Sequence, residues 1–251
     1  HEVETMAYAG ALPWHGLGVP VSNDLTPAQM QQKAGLDWEV EKVDAYINVG
    51  GEQIPTGQQA LIRTSDNTIL TNVGENWNPV QNSEAFNFFS DYVMAGDMEM
   101  HTAGSLKGGQ QVWALAKVKD SFEIFGGDRV DSYLLFSNPH QYGKAIDVKF
   151  VMERVVCNNT LAVALNEKNQ PSIRVNHRNQ FNAEMVKEAL GLSHNKVEKF
   201  KEAAEFLGSK RYTKQTAEQF MARVFGESNR EDKVMSRTAE RAFDLIENQP
   251  G

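Results

Sequence analysis

An α+β fold is predicted for this chain: an antiparallel, hairpin-rich sheet with crossing helices, followed by a C-terminal helical region. Three observations predict it. Apolar residues recur with period two between Trp38 and about Val118, as half-buried strands require, and turn-forming residues punctuate that stretch. After about residue 180 the spacing changes to that of amphipathic helices, with Val186, Leu190, Val197, Phe200, Ala204 and Leu207 falling on one face. Strands first and helices last imply an α+β arrangement rather than alternating β-α-β units.

Taken in order, Ala9–Val21 (AGALPWHGLGVPV) is rich in Gly and Pro and reads as an irregular, packed arm. Thr26-Pro27-Ala28-Gln29 joins an N-cap, a proline suited to the first helical turn and a residue able to close a capping box, so a short helix starts there and ends by Gly35. Val43, Ala45, Ile47 and Val49 alternate with polar residues. The runs Gln59–Arg63 and Thr68–Val73 flank Ser65-Asp66-Asn67 as a hairpin. Asn82-Ser83 opens a helix with Phe86, Phe89 and Val93 on one face, ending near Ala95-Gly96. Met98–Thr102 and Gln111–Val118 bracket a turn containing Gly104, Lys107, Gly108 and Gly109, and two further strands, Val130–Phe136 and Ile146–Val156, are joined by Ser137–Gly143. A short helix follows from Asn158-Asn159-Thr160 through Leu165, then a strand at Ser172–Val175. The long helix beyond has an interruption at Gly191, and two capping boxes, Thr216…Gln219 and Ser228…Glu231, open further helices. The expected organisation is a core domain over 1–180 with its N-terminal arm, and a helical region over 181–251. His1 and Pro250-Gly251 read as the bounds of an ordered piece of a longer chain.

Composition excludes several functions. No apolar run approaches the ~18 residues needed to cross a bilayer, and no secretory leader pattern opens the sequence. The single cysteine, Cys157, forbids an intrachain disulfide and fits a reducing compartment, so the cytoplasm is expected. The six histidines are scattered outside any metal-ligand spacing, so neither a metal nor a cofactor is expected. Gly104-Ser-Leu-Lys-Gly-Gly109 lacks the Gly-Lys-Ser/Thr of a phosphate-binding loop. Cys157 follows Val155-Val156 and precedes a helix, the setting of a buried small hydrophobe rather than a nucleophile. The carboxylate pairs Asp128/Asp131 and Glu39/Glu41 read as solvated turn and strand positions.

Charge is the most informative property. Residues 1–100 hold 3 Lys and Arg against 14 Asp and Glu, whereas residues 101–251 hold 22 against 19, within a net charge of −8. The positive side concentrates between Lys144 and Lys214, with 13 cations against 8 anions. Lys144, Lys149 and Arg154 fall on one predicted strand and Arg174 and Arg178 follow on the next. Lys149 and Arg154 are five apart, so a regular strand places them on opposite faces unless a bulge intervenes. Lys210 and Arg211 extend the track beside Tyr212, an aromatic suited to stacking on a base. Lys107, on its hairpin tip, is a further phosphate contact. Phosphate binding needs several cations along one track, and single-strand binding adds aromatic faces, so Lys107, Lys144, Lys149, Arg154, Arg174, Arg178, Lys210 and Arg211 are the expected nucleic-acid contacts. The competing reading is a solvated helical face, because Glu198, Glu202 and Glu205 interleave with the lysines.

Three segments resemble a known family. Pro13-Trp14-His15-Gly16-Leu17-Gly18, Leu36-Asp37-Trp38-Glu39-Val40 and Arg154-Val155-Val156-Cys157-Asn158-Asn159-Thr160-Leu161 are similar to the phage/plasmid-like proteins grouped as domain of unknown function 932. The resemblance implies an origin in a phage or plasmid and a bacterial host cytoplasm, and it transfers no catalytic residue. In outline, hairpins crossed by helices also resemble single-strand annealing proteins that assemble into rings or filaments. The leading expectation is a non-enzymatic, homo-oligomeric binder of single-stranded nucleic acid. The alternative is a protein-interaction module acting on a host or phage protein, for which the acidic first hundred residues are natural.

Overall fold

The structure, a computed structural model, describes residues 3–119, 133–168, 170, 172–190 and 192. Ten strands form two sheets among these residues. A seven-stranded sheet has the order β10-β9-β8-β7-β6-β1-β2 and a three-stranded sheet the order β3-β4-β5. The strands are β1 (Val3–Ala9), β2 (Val19–Val21), β3 (Val40–Val49), β4 (Glu52–Arg63), β5 (Thr68–Val73), β6 (Met98–Leu106), β7 (Gln111–Val118), β8 (Tyr133–Pro139), β9 (Ala145–Val151) and β10 (Ser172–Asn176). The helices are α1 (Pro27–Lys33), α2 (Asn82–Asn87), α3 (Ser90–Met94), α4 (Asn158–Asn166) and α5 (Ala183–Ala189).

Where the local signal was strong, the element is present. Thr26 caps α1 and forms the complete capping box with Gln29. The turn between β4 and β5 is held by Arg63, whose guanidinium grips the Asp66 carboxylate at 2.7 Å and 3.0 Å. That contact holds the Asp66 carboxyl well below the usual carboxylate range, with a further hydrogen bond from Thr68.

Other elements depart from expectation. β1 carries little alternation because it lies between β6 and β2, and Met6, Ala7, Tyr8 and Ala9 are all buried. β2 runs parallel to β1, so the large sheet is mixed rather than purely antiparallel. The helix predicted from Asn82 to Ala95 is interrupted at Phe88–Phe89, where both rings are buried. Gly104 belongs to the body of β6 and not to the following turn, which is Lys107–Gly109. β9 ends at Val151, leaving Arg154 beyond the strand.

Both faces of the large sheet are covered. Trp113, Leu115, Tyr133 and Leu135 face one apolar layer completed by Val155, Val156, Leu161 and Ala164 of α4 and its approach. Phe136 faces the other layer, where Phe88 meets it edge-on at a centroid distance of 5.4 Å. Every residue of β8 is buried in consequence. Such a strand shows no period of two in sequence.

By backbone contacts the chain forms two compact units, and the described residues from Val3 to Ala183 belong to the first. The second is described only at its start, where Lys187 pairs with Glu184 one turn earlier at 3.2 Å. The predicted C-terminal helices after residue 192 lie outside the described residues. No helix among the described residues is long and apolar enough to cross a membrane.

Candidate nucleic-acid interface

The strands β6 to β10 form an unbroken antiparallel meander. In such a meander alternate turns fall at the same end of the sheet. Here Leu106 pairs with Gln111, Gln111 with Pro139, Ser137 with Asp147 and Ala145 with Asn176. The β6–β7 turn, the β8–β9 loop and the chain leaving β10 therefore share one rim. Four inter-strand steps separate Lys107, after β6, from Arg178, after β10, a sheet width of roughly 19 Å.

Four of the predicted contacts gather on this rim. Lys107 is exposed, in a left-handed conformation (φ 55°) continued by Gly108 (φ 65°) and Gly109 (φ 91°). Lys144 closes the β8–β9 loop and is exposed, as is Arg178. Arg174 donates two hydrogen bonds to Asp147, at 2.8 Å and 3.0 Å, while its side chain stays 70% exposed. Tyr142, two residues from Lys144, is 61% exposed. It supplies an aromatic face to the rim, the role expected of Tyr212, which lies outside the described residues. The signal for it in the sequence was an aromatic beside Gly143 and Lys144 in a short inter-strand loop.

Two predicted contacts are committed elsewhere. Lys149 is buried, and its ammonium donates to the carbonyls of Leu165 (3.3 Å) and Glu167 (2.8 Å) at the C-terminal end of α4. There it satisfies unpaired carbonyls and complements the negative end of the helix dipole, so it does not face a ligand. Arg154 donates from Nη2 to the carbonyls of Ala9 (3.0 Å) and Ala11 (2.7 Å), tying down the N-terminal arm. The one-track reading of the predicted β-strand is therefore corrected. Of its three cations, one caps a helix, one holds the arm, and only Lys144 reaches the rim. Lys210 and Arg211 lie outside the described residues. Replacing Lys149 by Met should leave nucleic-acid binding unchanged but cost about 2 kcal/mol of stability in urea denaturation, since two partly buried carbonyls lose their donor.

A polar seam sets the rim loops in place. The connector from β5 to α2 runs along the end of β8. Asn138 Nδ2 donates to the Val80 carbonyl at 2.9 Å, and His140 pairs with Asn82 Oδ1 at 2.9 Å. Because Asn82 Nδ2 donates to the carbonyls of Leu36 and Trp38, its Oδ1 is the acceptor and His140 Nε2 carries the proton. His140 Nδ1 is then a buried lone pair without a hydrogen-bond partner. On the far side, His177 donates from Nδ1 to the Asn78 carbonyl at 2.9 Å and stacks on Trp77 with centroids 4.1 Å apart. The Asn78 amide N–H in turn donates to the His177 carbonyl at 2.7 Å, fixing the turn that presents Arg178. Burial, reinforced by neighbouring His177, lowers His140 to about 3 from 6.5. His177 is also lowered by burial, partly offset by the Asn78 and Pro139 carbonyls.

Two of the motif segments meet away from the rim. His15 accepts the Leu17 N–H at Nδ1 (3.0 Å) and so donates from Nε2 to the Val156 carbonyl (3.0 Å). Thr160 Oγ1 accepts the N–H groups of Val156 (2.9 Å) and Cys157 (3.0 Å), closing the N-terminus of α4. Cys157 is buried at that N-cap. Burial pushes its thiol up, but hydrogen bonds from Thr160, Asn159 and Trp14 outweigh it and hold the thiol below its ordinary value. Thr160→Val should cost about 1–2 kcal/mol in the same denaturation assay and raise the thiol pKa read by its alkylation rate against pH.

No group of three or more metal-ligating side chains suited to an ion occurs among the described residues. No curated protein and no solved structure matches the chain. A family model does, over residues 69–248, a span that contains the Arg154–Leu161 segment, α4, the β6–β10 meander and every cation of the rim. By that match the chain belongs to the family described as domain of unknown function DUF932.

Proposed function

We propose that this protein binds single-stranded nucleic acid along the β6–β10 rim, through Lys107, Lys144, Arg174 and Arg178, with Tyr142 stacking on a base. The observation that carries the reading is the meander itself, which returns cations far apart in sequence to one edge beside an exposed aromatic. Several cations along one line, with an aromatic among them, are what a flexible phosphodiester strand requires. The binding is expected to be indifferent to sequence, because every rim cation reaches a phosphate and none is part of a pocket. In a phage- or plasmid-borne family such a protein would serve replication or recombination, with no bond made or broken.

Binding of a labelled oligonucleotide across a salt series tests this. Each phosphate contact on a single strand contributes about −0.7 to the slope of log affinity against log salt. The triple substitution Lys107→Ala, Lys144→Ala, Arg178→Ala should therefore flatten the slope by about 2 and weaken binding at least about tenfold at low salt. Tyr142→Ala should weaken binding without changing the slope, by about 1–3 kcal/mol. An unaltered affinity in the triple variant would overturn the assignment. The alternative reading, a protein-interaction module, is favoured by a different surface, the exposed apolar tip of the β3–β4 hairpin.

A further inference from the structure

The β3–β4 hairpin outruns its own sheet. β5 pairs with β4 only from Gln59 to Arg63, so residues 45–49 and 52–58 project as a two-stranded ribbon. Tyr46 (54% exposed), Ile47 (52%), Val49 (54%) and Ile54 (42%) stand in solvent along it. Two strands alone are marginally stable in water, and a third strand or a packed face is ordinarily needed.

The ribbon's two edges differ. Val49 and Glu52 close the Gly50-Gly51 turn, and Ile47–Ile54 is the next pair in phase with them. In an antiparallel ladder these pairs exchange the internal hydrogen bonds, while the intervening Asn48–Gln53 and Tyr46–Pro55 pairs turn their backbone groups outward. On β4 the outward position at 55 is a proline, which has no N–H to offer, and Gly57 (φ 73°) breaks the strand beyond it. On β3 neither proline nor lysine occurs from Val43 to Val49. One edge is blunted and the other is open.

We propose that the open β3 edge pairs with the β3 edge of a second copy of this chain, antiparallel about a two-fold axis through Ile47. In that register Tyr46 of each copy exchanges backbone hydrogen bonds with Asn48 of the other. Ile47 faces Ile47, flanked by Ile54 on both sides, giving a row of four isoleucines across a four-stranded sheet. Charge selects this occupant. Asp44 is the only charged residue between Val43 and Gly51, and the two-fold places it beside Gly50 of the second copy, so like charges never meet. Residues 43–62 contain no Lys or Arg, so nothing on the ribbon would hold a phosphate strand or an acidic peptide. The shared edge is short, and the dimer is accordingly weak, with a dissociation constant roughly in the micromolar range.

Sedimentation equilibrium of the full chain tests the proposal, and it is independent of nucleic-acid binding. The wild type should show a monomer–dimer equilibrium in that concentration range. Ile47→Lys and Ile47→Glu, each facing its own like charge, should dimerise at least about tenfold more weakly. An equimolar mixture of the two should recover a dimer, because residue 47 then meets the opposite charge. A wild type that stays monomeric, variants that dimerise as it does, or a mixture that fails to recover would each overturn the proposal. Unchanged circular dichroism of the variants confirms that the solvent-exposed substitution has not unfolded them.

Discussion

Acidification from pH 6.5 towards pH 3 is expected to remove about 4 kcal/mol of stability through His140 alone. The imidazole is lowered to about 3 by burial, from 6.5. Below pH 6.5 the unfolded chain therefore binds a proton that the folded chain refuses. Stability is complete above the unfolded pKa, falls by about 1.4 kcal/mol per pH unit through the window, and levels off once the folded pKa is passed. His177, lowered in the same direction, adds to the loss. Asp66 joins in at the acid end of this range, since Arg63 holds its folded carboxyl down and its contribution begins to be lost as pH falls past the unfolded value of 3.8. Urea denaturation at intervals between pH 7 and pH 4.5 reads the slope. His140→Gln retains a donor towards Asn82 Oδ1 and cannot titrate, so it should flatten the curve. A wild-type stability independent of pH across that interval would contradict the buried neutral imidazole. Because the seam holds the β8–β9 loop and the turn before Arg178, loss of oligonucleotide binding should accompany acid unfolding rather than precede it.

Gly104→Ala should destabilise the chain by about 3 kcal/mol, the upper part of the range for overpacking a filled interior. A methyl group at this position would meet the Thr5 carbonyl oxygen at 2.6 Å and Met6 Cβ at 2.8 Å, and would also run into the Trp113 ring. The backbone of β1 and an indole with 0% exposure close on the glycine from different sides. Neither moves without disturbing the β1–β6 pairing, where Gly104 opposes Met6. Trp113 has further reason to stay, because its indole N–H donates to Thr102 Oγ1 at 3.2 Å and Thr102 donates to the Val155 carbonyl at 2.6 Å. Thermal unfolding of the variant measures the effect, and a midpoint within a degree or two of wild type would refute it. The glycine is required here by close approach and not by backbone conformation, so Gly108, with open space about its Cα, makes the contrasting case.

These positions show how far local signals carry. The capping box at Thr26, the Asp66-Asn67 hairpin and the Asn158 helix were legible because their determinants lie within a few residues of one another. No strand was expected at β1, and β8 was expected only as far as Phe136, since a strand buried on both faces loses the alternation that marks it. Gly104 read as a turn residue because a glycine needed for packing and one needed for a turn look alike in sequence. The site was legible in part. Lys107, Lys144 and Arg178, named from the sequence as nucleic-acid contacts, are exposed, whereas Tyr142, the exposed aromatic on the same rim, carried only its position in a loop.

By itself the sequence determined many of the elements, the turn between β4 and β5, the family, and a basic segment opposed to an acidic one. Tertiary structure decided what each cation is for. Lys149 faces a helix end and Arg154 faces carbonyls 143 and 145 residues away, partners that no spacing rule reveals. The physical reason is that a charge acts on whatever lies within a few ångströms of it, and strand pairing sets those neighbours through contacts remote along the chain. Net charge, in contrast, is a sum over residues and survives any arrangement of them.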